Sequence, residues 1–157
     1  MLLRSIFIGV FLFTSTACMT KKAKPTVTAI PSNNKIVIEA QKHLGKPYKY
    51  GAVGPNSFDC SGFVYAIYKK FGIILPRTSI NQSKIRGPKL SRRELRAGDI
   101  LFFDTASRGH VNHCGIYIGN DKFIHASSGK AYSVTISDLN GWYKDKFRWG
   151  KHINENK

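Results

Sequence analysis

Cys60 is the residue whose position in the sequence most directly suggests chemistry. It follows Asp59, a residue type that caps helices, and it precedes an apolar stretch of helical periodicity. Its sulfur is therefore predicted to lie in the first turn of a helix. Free backbone N–H groups and the helix dipole stabilise a thiolate there and lower the thiol pKa from about 8.5. Considered alone, Cys60 fits a nucleophile and a structural cysteine equally well.

Two histidines are predicted to share one face of a β-hairpin. Turn residues at 119–121 separate two strands, and with a three-residue loop Ile118 lies opposite Lys122. In this register His113 and His125 form a diagonal pair on neighbouring strands, with backbones roughly 7–8 Å apart. A two-residue loop would put them on opposite faces and scatter the apolar residues. The other, core-facing side carries Cys114, Ile116, Ile118, Ile124 and Ala126.

A cysteine at a helix N-terminus, a histidine on a strand and a second polar group that orients it form a nucleophilic arrangement. His113 would take the thiol proton of Cys60, and His125 would fix the orientation of His113. Two alternatives remain open: a zinc site that adds Cys114 to these residues, and histidines that are merely packed in the sheet. The absence of CxxC or HxxxH spacing disfavours zinc, as does Cys114, which is predicted to point away from the histidines. His110, in a glycine-containing loop, is predicted to be a surface residue rather than the base.

The surrounding sequence predicts helices first and strands afterwards. Asn34 is predicted to cap a helix that Gly45 and Pro47 end, and Asp59 opens a second helix that Gly72 ends. The apolar positions of the first helix are Ile36, Ile38, Ala40 and Leu44. Short helical segments follow at 79–85 and 91–95, and strands at 100–103, 114–118, 123–126, 132–136 and 147–152. Helices followed by an antiparallel meander define an α+β fold.

The N-terminus has the pattern of an export signal. An apolar stretch at 5–13, shorter than the roughly 20 residues of a membrane-spanning helix, is followed by small residues up to Ala17. Ala17-Cys18 resembles a bacterial lipobox, in which the cysteine is acylated, although Ser15 stands where Leu is usual. Residues 1–17 are predicted to be a signal peptide, 18–34 a lipidated basic tether and 35–157 the catalytic domain. This places the protein on a bacterial membrane, the outer one where the cell has one. The alternative is cleavage by an ordinary signal peptidase, which leaves a soluble secreted protein.

The composition fits one basic domain. The 157 residues are 42% hydrophobic and 12% aromatic, which excludes a wholly disordered chain. The formal net charge of +16 favours polyanionic surroundings such as nucleic acid, anionic lipid or an acidic wall polymer. Aromatic residues do not interleave with the basic run, and the export signal removes the chain from the cytoplasm, so no nucleic-acid partner is predicted. The densest basic patch comprises Lys84, Arg86, Lys89, Arg92, Arg93 and Arg96.

Six short motifs, in this order, resemble the NlpC-type bacterial cell-wall endopeptidases, especially the small murein endopeptidase lipoproteins. The resemblance covers about residues 36–152. The motifs are Gly45-Lys46-Pro47-Tyr48-x-Tyr50-Gly51, Asp59-Cys60-Ser61-Gly62-Phe63, Leu75-Pro76-Arg77, Gly98-Asp99-Ile100-Leu101-Phe102, His113-x-Gly115-Ile116-Tyr117-Ile118-Gly119 and Phe123-Ile124-His125-Ala126. The resemblance implies a papain-like α+β fold in which N-terminal helices, including the nucleophile helix, pack on a five- to six-stranded antiparallel sheet.

The resemblance also implies roles for individual residues. Cys60 would be the nucleophile, His113 the base and His125 the polar residue that orients the base. The hydroxyl of Tyr48 would lie near the nucleophile and help the backbone N–H of Cys60 hold the oxyanion.

Two further residues, Asp59 and Ser61, match positions near the substrate amine in some members of the family, although capping alone accounts for Asp59. Cys114 stands where Val is usual in the family. It is predicted to fill the core as a small hydrophobe without touching the proposed chemistry.

The implied activity is that of an exported, monomeric cysteine peptidase that requires no metal or organic cofactor. Its substrate would be the peptide stem of peptidoglycan, cut between D-glutamate and a diamino acid. Two other classes stay open: a Cys-His N-acetylmuramoyl-L-alanine amidase, and a catalytically silent wall-binding module.

Overall fold

The computed structural model describes residue 29 and residues 32–153. The predicted signal peptide, Cys18 and most of the predicted tether therefore lie outside the described residues. None of the helices in the described part is long and apolar enough to span a bilayer. The helices are α1 (Lys35–Gln41), α2 (Cys60–Lys69) and α3 (Ser79–Gln82), with a 3₁₀ turn at Arg92–Glu94. The strands are β1 (Ile100–Phe103), β2 (His113–Gly119), β3 (Lys122–Ala126), β4 (Val134–Asp138) and β5 (Phe147–Lys151).

The five strands form one antiparallel sheet in the order β4-β3-β2-β1-β5. The α+β prediction is confirmed, but the sheet is not a simple meander. The last strand pairs with β1 rather than with β4, because the chain after β4 crosses one face of the sheet before it returns. His113 pairs with Phe103 of β1, so the first histidine starts a central strand.

The predicted register of the β2–β3 hairpin is right at its centre and wrong at its turn. Ile116 lies opposite Ile124 as predicted, but Gly119, not Ile118, pairs with Lys122. The turn consists of two residues, Asn120 and Asp121, which both have positive φ, 51° and 55°. Asn and Asp tolerate this conformation, and a two-residue turn of this kind matches the twist of the strands. A bulge between Tyr117 and Gly119 then restores the register that keeps both histidines on one face.

The two longer helices begin where their caps predict. The Asn34 side chain accepts the Ile36 and Val37 N–H groups, at 2.9 and 3.2 Å, and the Asp59 side chain accepts the Gly62 N–H, at 2.6 Å. The first helix differs from the prediction on its apolar face. Ile38 is 44% exposed, whereas its neighbour Val37 is fully buried.

Other boundaries also shift. The first helix ends at Gln41 instead of near Gly45, and α3 is one turn long. The fourth strand starts at Val134, two residues later than predicted, since Tyr132 adopts a positive φ of 45° in the preceding turn. Such a conformation does not fit an extended strand.

The sheet carries a different hydrophobic cluster on each face. Helices α1 and α2 cover one face, which contains every residue of the predicted core-facing side of the hairpin: Cys114, Ile116, Ile118, Ile124 and Ala126. The other face contains Leu101, Phe103, Tyr117, Phe123 and Leu139, packed against Tyr143 and Phe147. The segment that follows β4, rather than a helix, covers this second face.

Candidate active site

Cys60 is the first residue of α2 and is half-buried. Hydrogen bonding with the Cys114 thiol and then with the His113 imidazole holds the pKa of Cys60 well below its ordinary 9.0, against the effect of burial, which raises it. The free N–H groups of the first helical turn act in the same direction. The sulfur of Cys60 is therefore suited to exist as a thiolate near neutral pH.

The two predicted histidines meet. His113 Nε2 and His125 Nδ1 are 2.8 Å apart, and the second ring nitrogen of His125, Nε2, lies 2.9 Å from Ser137 Oγ. Since Nε2 of His113 is taken by His125, Nδ1 is the nitrogen left for Cys60. The side chains thus form a continuous chain in the order Cys60, His113, His125 and Ser137.

The environment of His125 keeps its imidazole neutral, so that one ring nitrogen donates and the other accepts. Its side chain is fully buried, and burial followed by the nearby His113 holds its pKa well below 6.5. A neutral His125 that donates from Nε2 to Ser137 must accept at Nδ1, so His113 donates from Nε2. This assignment leaves the Nδ1 lone pair of His113 free to act as the base toward Cys60.

Gly115 explains how the two imidazoles can approach across the strands. A Cβ atom added at Gly115 would lie 2.8 Å from Cδ2 of Phe123 and 3.0 Å from Cβ of His125. Both distances are too short for a normal contact of a Cβ atom. Any side chain here would therefore displace the ring of Phe123 or move His125. The glycine of the His-x-Gly motif therefore makes room for the histidine pair.

The prediction that Cys114 takes no part in the proposed chemistry is wrong. It is fully buried on the α2 side of the sheet, as predicted. However, its thiol contacts the sulfur of Cys60 and contributes most to the low pKa of Cys60, so Cys114 does touch the proposed chemistry. The reason is that Cys60, the first residue of α2, lies beside the first two residues of β2. There it reaches both His113 and Cys114, although these two neighbours belong to opposite faces of the strand.

Asp59 and Ser61 are both buried beside the nucleophile. Arg77 donates to both Asp59 carboxylate oxygens, at 3.0 and 2.6 Å, and to Ser61 Oγ at 3.0 Å. The same carboxylate accepts the Gly51 and Gly62 N–H groups, at 2.9 and 2.6 Å. Asp59 therefore fixes the start of α2 against the preceding loop, which agrees with the capping role.

Tyr48 lies on that loop, and its ring packs against Tyr132 at 5.5 Å. Burial raises the pKa of Tyr48, and the nearby charges of Cys60 and Asp59 add to the effect. Gly62 lets the loop come near α2, because a Cβ atom there would lie 2.1 Å from the Ala52 carbonyl oxygen.

Tyr143 is a site neighbour that the sequence did not reveal. Its ring stacks on His113, with 6.0 Å between centroids, and meets His125 edge-on at 5.3 Å. Burial raises the pKa of Tyr143 to about 12, although a hydrogen bond with Ser127 opposes the shift. The residue belongs to the irregular segment after β4, where no periodic pattern marks an inward-facing position.

A groove of about 950 Å³ opens beside His113. The loop between β3 and β4 forms one wall, with small hydroxyl side chains and Lys130, and Trp142 and Tyr143 line the other side. Trp142 is 61% exposed. Among the residues that line the groove, Lys130 carries the formal charge, so the groove suits an extended peptide that bears carboxylates.

The remaining predictions concern His110 and zinc. His110 is exposed on the loop before β2, where its Nδ1 lies 3.2 Å from the Arg108 carbonyl oxygen, and it does not join the site. Within residues 32–153, no group of three or more His, Cys, Asp and Glu side chains is arranged to hold a metal ion.

Residues 45–152 match the sequence model of the NlpC/P60 family. The chain belongs to this family. The motif-based resemblance and the α+β, papain-like fold are thereby confirmed, and the five strands lie within the predicted five to six.

Two curated relatives and one solved structure illustrate NlpC/P60 membership. "Probable endopeptidase p60" of Listeria monocytogenes is 40% identical over 118 residues, which are 75% of this chain and 22% of that protein. "Murein DD-endopeptidase MepH" of Escherichia coli is 36% identical over 127 residues, 78% of this chain and 45% of that protein. An NlpC/P60 family protein from Bacillus cereus has a TM-score of 0.70 at 33% identity, covering 78% of this chain and 40% of that chain. The chain thus spans less than half the length of each.

Proposed function

We propose that this NlpC/P60 protein is a cysteine endopeptidase that hydrolyses the peptide stems of bacterial peptidoglycan. The observation that carries the proposal is the chain of contacts from Cys60 through His113 and His125 to Ser137, next to an open groove. The names of the two relatives, an endopeptidase and a murein endopeptidase, support the same activity.

The reaction begins with attack of the Cys60 thiolate on a peptide carbonyl carbon. The Cys60 backbone N–H and the Tyr48 hydroxyl donate to the oxyanion that develops. His113, now an imidazolium, gives its Nδ1 proton to the leaving amine, and an acyl-enzyme remains on Cys60. His113 then removes a proton from water, the hydroxide attacks the thioester, and the thiolate returns. His125 holds His113 in the required tautomer throughout.

The groove supports a substrate with carboxylates. Peptidoglycan stems contain D-glutamate and diamino acids, whose carboxylates can pair with Lys130 at the groove wall. The formal net charge of +16 raises the local concentration of such an acidic polymer. We propose that the scissile bond joins D-glutamate to the diamino acid and that the protein acts as a monomer.

One observation favours a different scissile bond as the second candidate. The Escherichia coli relative is named a DD-endopeptidase, which indicates a bond between two D-centres for that protein. The residues Cys60, His113 and His125 would serve either bond equally, because they act on the amide and not on its flanking side chains.

Digestion of purified peptidoglycan, followed by mass spectrometry of the released fragments, separates these possibilities. Cutting at the D-glutamyl bond leaves stems that end in D-glutamate, whereas cutting of cross-links leaves complete stems as monomers. Free peptides together with peptide-free glycan would identify an amidase instead. Cys60→Ser is the inactive control. Fragments released equally by wild type and Cys60→Ser would overturn the proposal.

We also propose that the N-terminus anchors the enzyme in the cell envelope through acylated Cys18. The supporting features are the apolar stretch at 5–13, Ala17-Cys18 and the basic residues that follow. Cys18→Ala is expected to move the protein from the membrane fraction to the soluble fraction, or to stall its processing. A wild-type protein that is soluble and carries no lipid would contradict the anchor without affecting the catalytic proposal.

A further inference from the structure

Cys114 is a buried nucleophile that the hydrolytic mechanism does not use. It is the second residue of β2, it is fully buried, and like Cys60 it carries a free thiol. Its sulfur and that of Cys60 are hydrogen-bond partners. Cys60 packs against the same apolar cluster that contains Cys114, so the catalytic thiolate has a second thiol beside it.

Gln82 connects Cys114 to the helical turn that carries Cys60. Its Nε2 donates to the Ser61 carbonyl oxygen at 3.0 Å, next to Cys60 in the chain, and to the Pro76 carbonyl oxygen at 2.9 Å. Its Oε1 lies 3.4 Å from the Cys114 sulfur, whose single S–H is shared between this amide oxygen and the Cys60 thiolate. Gln82 is fully buried. One amide thus connects Cys114, at the start of β2, to the first turn of α2, in which Cys60 lies.

We propose that Cys60 and Cys114 form a site of reversible oxidative modification, in which a hydroperoxide converts the pair into an intramolecular disulfide. The inference rests on the proposed function in that Cys60 is the nucleophile. It goes beyond that function because the disulfide switches hydrolysis off and reduction switches it on again.

The chemistry takes two steps. The Cys60 thiolate attacks the terminal oxygen of a hydroperoxide, an S–O bond forms, the O–O bond breaks, and an alcohol or water leaves after protonation. The thiol of Cys114 then attacks the sulfenic acid of Cys60. An S–S bond forms, the S–O bond breaks, and the proton from Cys114 leaves with the hydroxyl group as water. Two electrons pass from the two sulfurs to the hydroperoxide.

Oxidation of Cys60 in the first step makes it easier for Cys114 to react in the second. Burial raises the pKa of Cys114 well above 9.0, and the neighbouring Cys60 adds to this effect. Once Cys60 is a neutral sulfenic acid, its negative charge no longer opposes ionisation of Cys114. His113, which faces Cys60, can carry the proton from the thiol to the leaving hydroxyl. A disulfide then forms when the sulfurs approach to about 2.05 Å.

The arrangement also allows thiols to reduce the disulfide. Cys60 is partly exposed whereas Cys114 is fully buried, so an incoming thiolate reaches the Cys60 sulfur. Attack there releases Cys114, and a second thiol frees Cys60. Without Cys114, the sulfenic acid would persist and a second hydroperoxide would take it to the sulfinic acid, which thiols do not reduce.

The test uses the full chain with Cys18→Ala, so that Cys60 and Cys114 are the two cysteines that remain. After exposure to hydrogen peroxide, we expect loss of both free thiols, an intact mass lower by two hydrogens, and a peptide cross-link that joins Cys60 to Cys114. Hydrolysis of peptidoglycan is expected to be lost completely and to return to its starting level with dithiothreitol. Cys114→Val is expected to gain oxygen at Cys60 and to remain inactive after reduction.

The readouts separate this inference from the proposed function. Free thiols and mass are measured without any substrate, so a protein that forms the disulfide but never hydrolyses peptidoglycan refutes only the function. The disulfide is refuted if the oxidised wild type has gained oxygen at Cys60 and its Cys114, after unfolding, still reacts as a free thiol with an alkylating agent. Cys114→Ala, which cannot overfill the site, serves as a second variant. Because Cys114 also lowers the pKa of Cys60, each variant is exposed until it has lost as much activity as the wild type. If either variant then recovers fully with dithiothreitol, Cys114 has no protective role.

Discussion

The two faces of the sheet are covered by different kinds of structure, helices on one face and an irregular segment on the other. On one face, α2 lays aliphatic and aromatic side chains such as Val64 and Ile67 on the strands, and these are fully buried. On the other face, aromatic rings surround two imidazoles, and Tyr143 covers them from a segment without helix or strand. The first face positions the nucleophile through the start of a helix. The second sets the protonation of the histidines.

The difference shows how one sheet can serve both stability and chemistry. His125 is fully buried, and its ring lies 4.6 Å from that of Phe123 and 5.3 Å from that of Tyr143. This apolar surrounding is what keeps His125 neutral. On the helix side, the fully buried thiol of Cys114 lies within a cluster of mostly apolar residues, and the fully buried amide of Gln82 contacts it.

The largest effect is expected for His113→Ala, which removes the base on the second face and leaves the helix face intact. Loss of the general base should lower kcat by about 10⁴-fold. It should also move the pKa of Cys60 from its lowered value toward 9.0, because His113 contributes to the shift. The measurements are initial rates on peptidoglycan and the pH profile of iodoacetamide labelling at Cys60.

His110→Ala is the matched control for this prediction. His110 is exposed and has no contact with Cys60, so its removal should leave both the rate and the labelling profile unchanged. Equal losses in the two variants would mean that His113 is not the base.

A pair of core truncations compares the faces directly. Ile67→Ala on the helix face and Phe123→Ala on the second face each remove a fully buried side chain. Both should lower the free energy of unfolding by about 2–5 kcal/mol, measured by urea titration. Only Phe123→Ala should also lower kcat under conditions where the protein is folded, because Phe123 packs against His125. Similar kcat values for both variants would show that the second face contributes stability alone.

The sequence predicts the regular helices and strands better than the irregular segment that covers the second face. Cys60 could be placed from the Asp59 cap and the apolar stripe behind it, and the histidine pair from the alternation of the strands. These signals are periodic, and the physics behind them is local. Arg77, which pairs with Asp59, could be found only as part of the Leu75-Pro76-Arg77 motif, since its partner is distant in sequence.

The residues that were missed have contacts without a periodic signal. Ser137 fell beyond the predicted end of its strand, because the turn at Tyr132 delays β4 by two residues. Tyr143 lies in an irregular segment whose fold depends on the aromatic face that it covers. The contact of Cys114 with Cys60 arises at a strand end, where alternation no longer separates the faces. Tertiary packing decides all three.

A smaller effect is expected for the pH dependence of stability. The pKa of His125 is lower in the folded protein than the 6.5 of an exposed histidine, so below about pH 6.5 the unfolded chain binds a proton that the folded protein does not. The stability that neutral His125 contributes is therefore complete above pH 6.5 and is lost as the pH falls toward its folded pKa. The slope is at most about 1.4 kcal/mol per pH unit.

His125→Asn tests this expectation, because Asn can still accept from His113 but does not titrate. Urea unfolding at about pH 7.5 and about pH 5.5 should show a smaller loss of stability for the variant than for the wild type. His43, whose burial also lowers its pKa, contributes with the same sign in both proteins. An identical loss in both would assign the acid sensitivity to groups other than His125.

The smallest effect is expected at the far end of the histidine chain. Ser137 accepts from Nε2 of His125 at 2.9 Å, and its loss leaves a fully buried N–H group without this partner. A neutral hydrogen bond of this kind is worth about 1 kcal/mol, so Ser137→Ala should lower kcat by about 5- to 10-fold, with KM nearly unchanged. Ser137→Thr keeps the hydroxyl and should retain the wild-type rate. If Ser137→Thr is as slow as Ser137→Ala, the space around β4 and not the hydrogen bond limits the reaction; if neither is slow, the packing of Phe123 and Tyr143 alone orients His125.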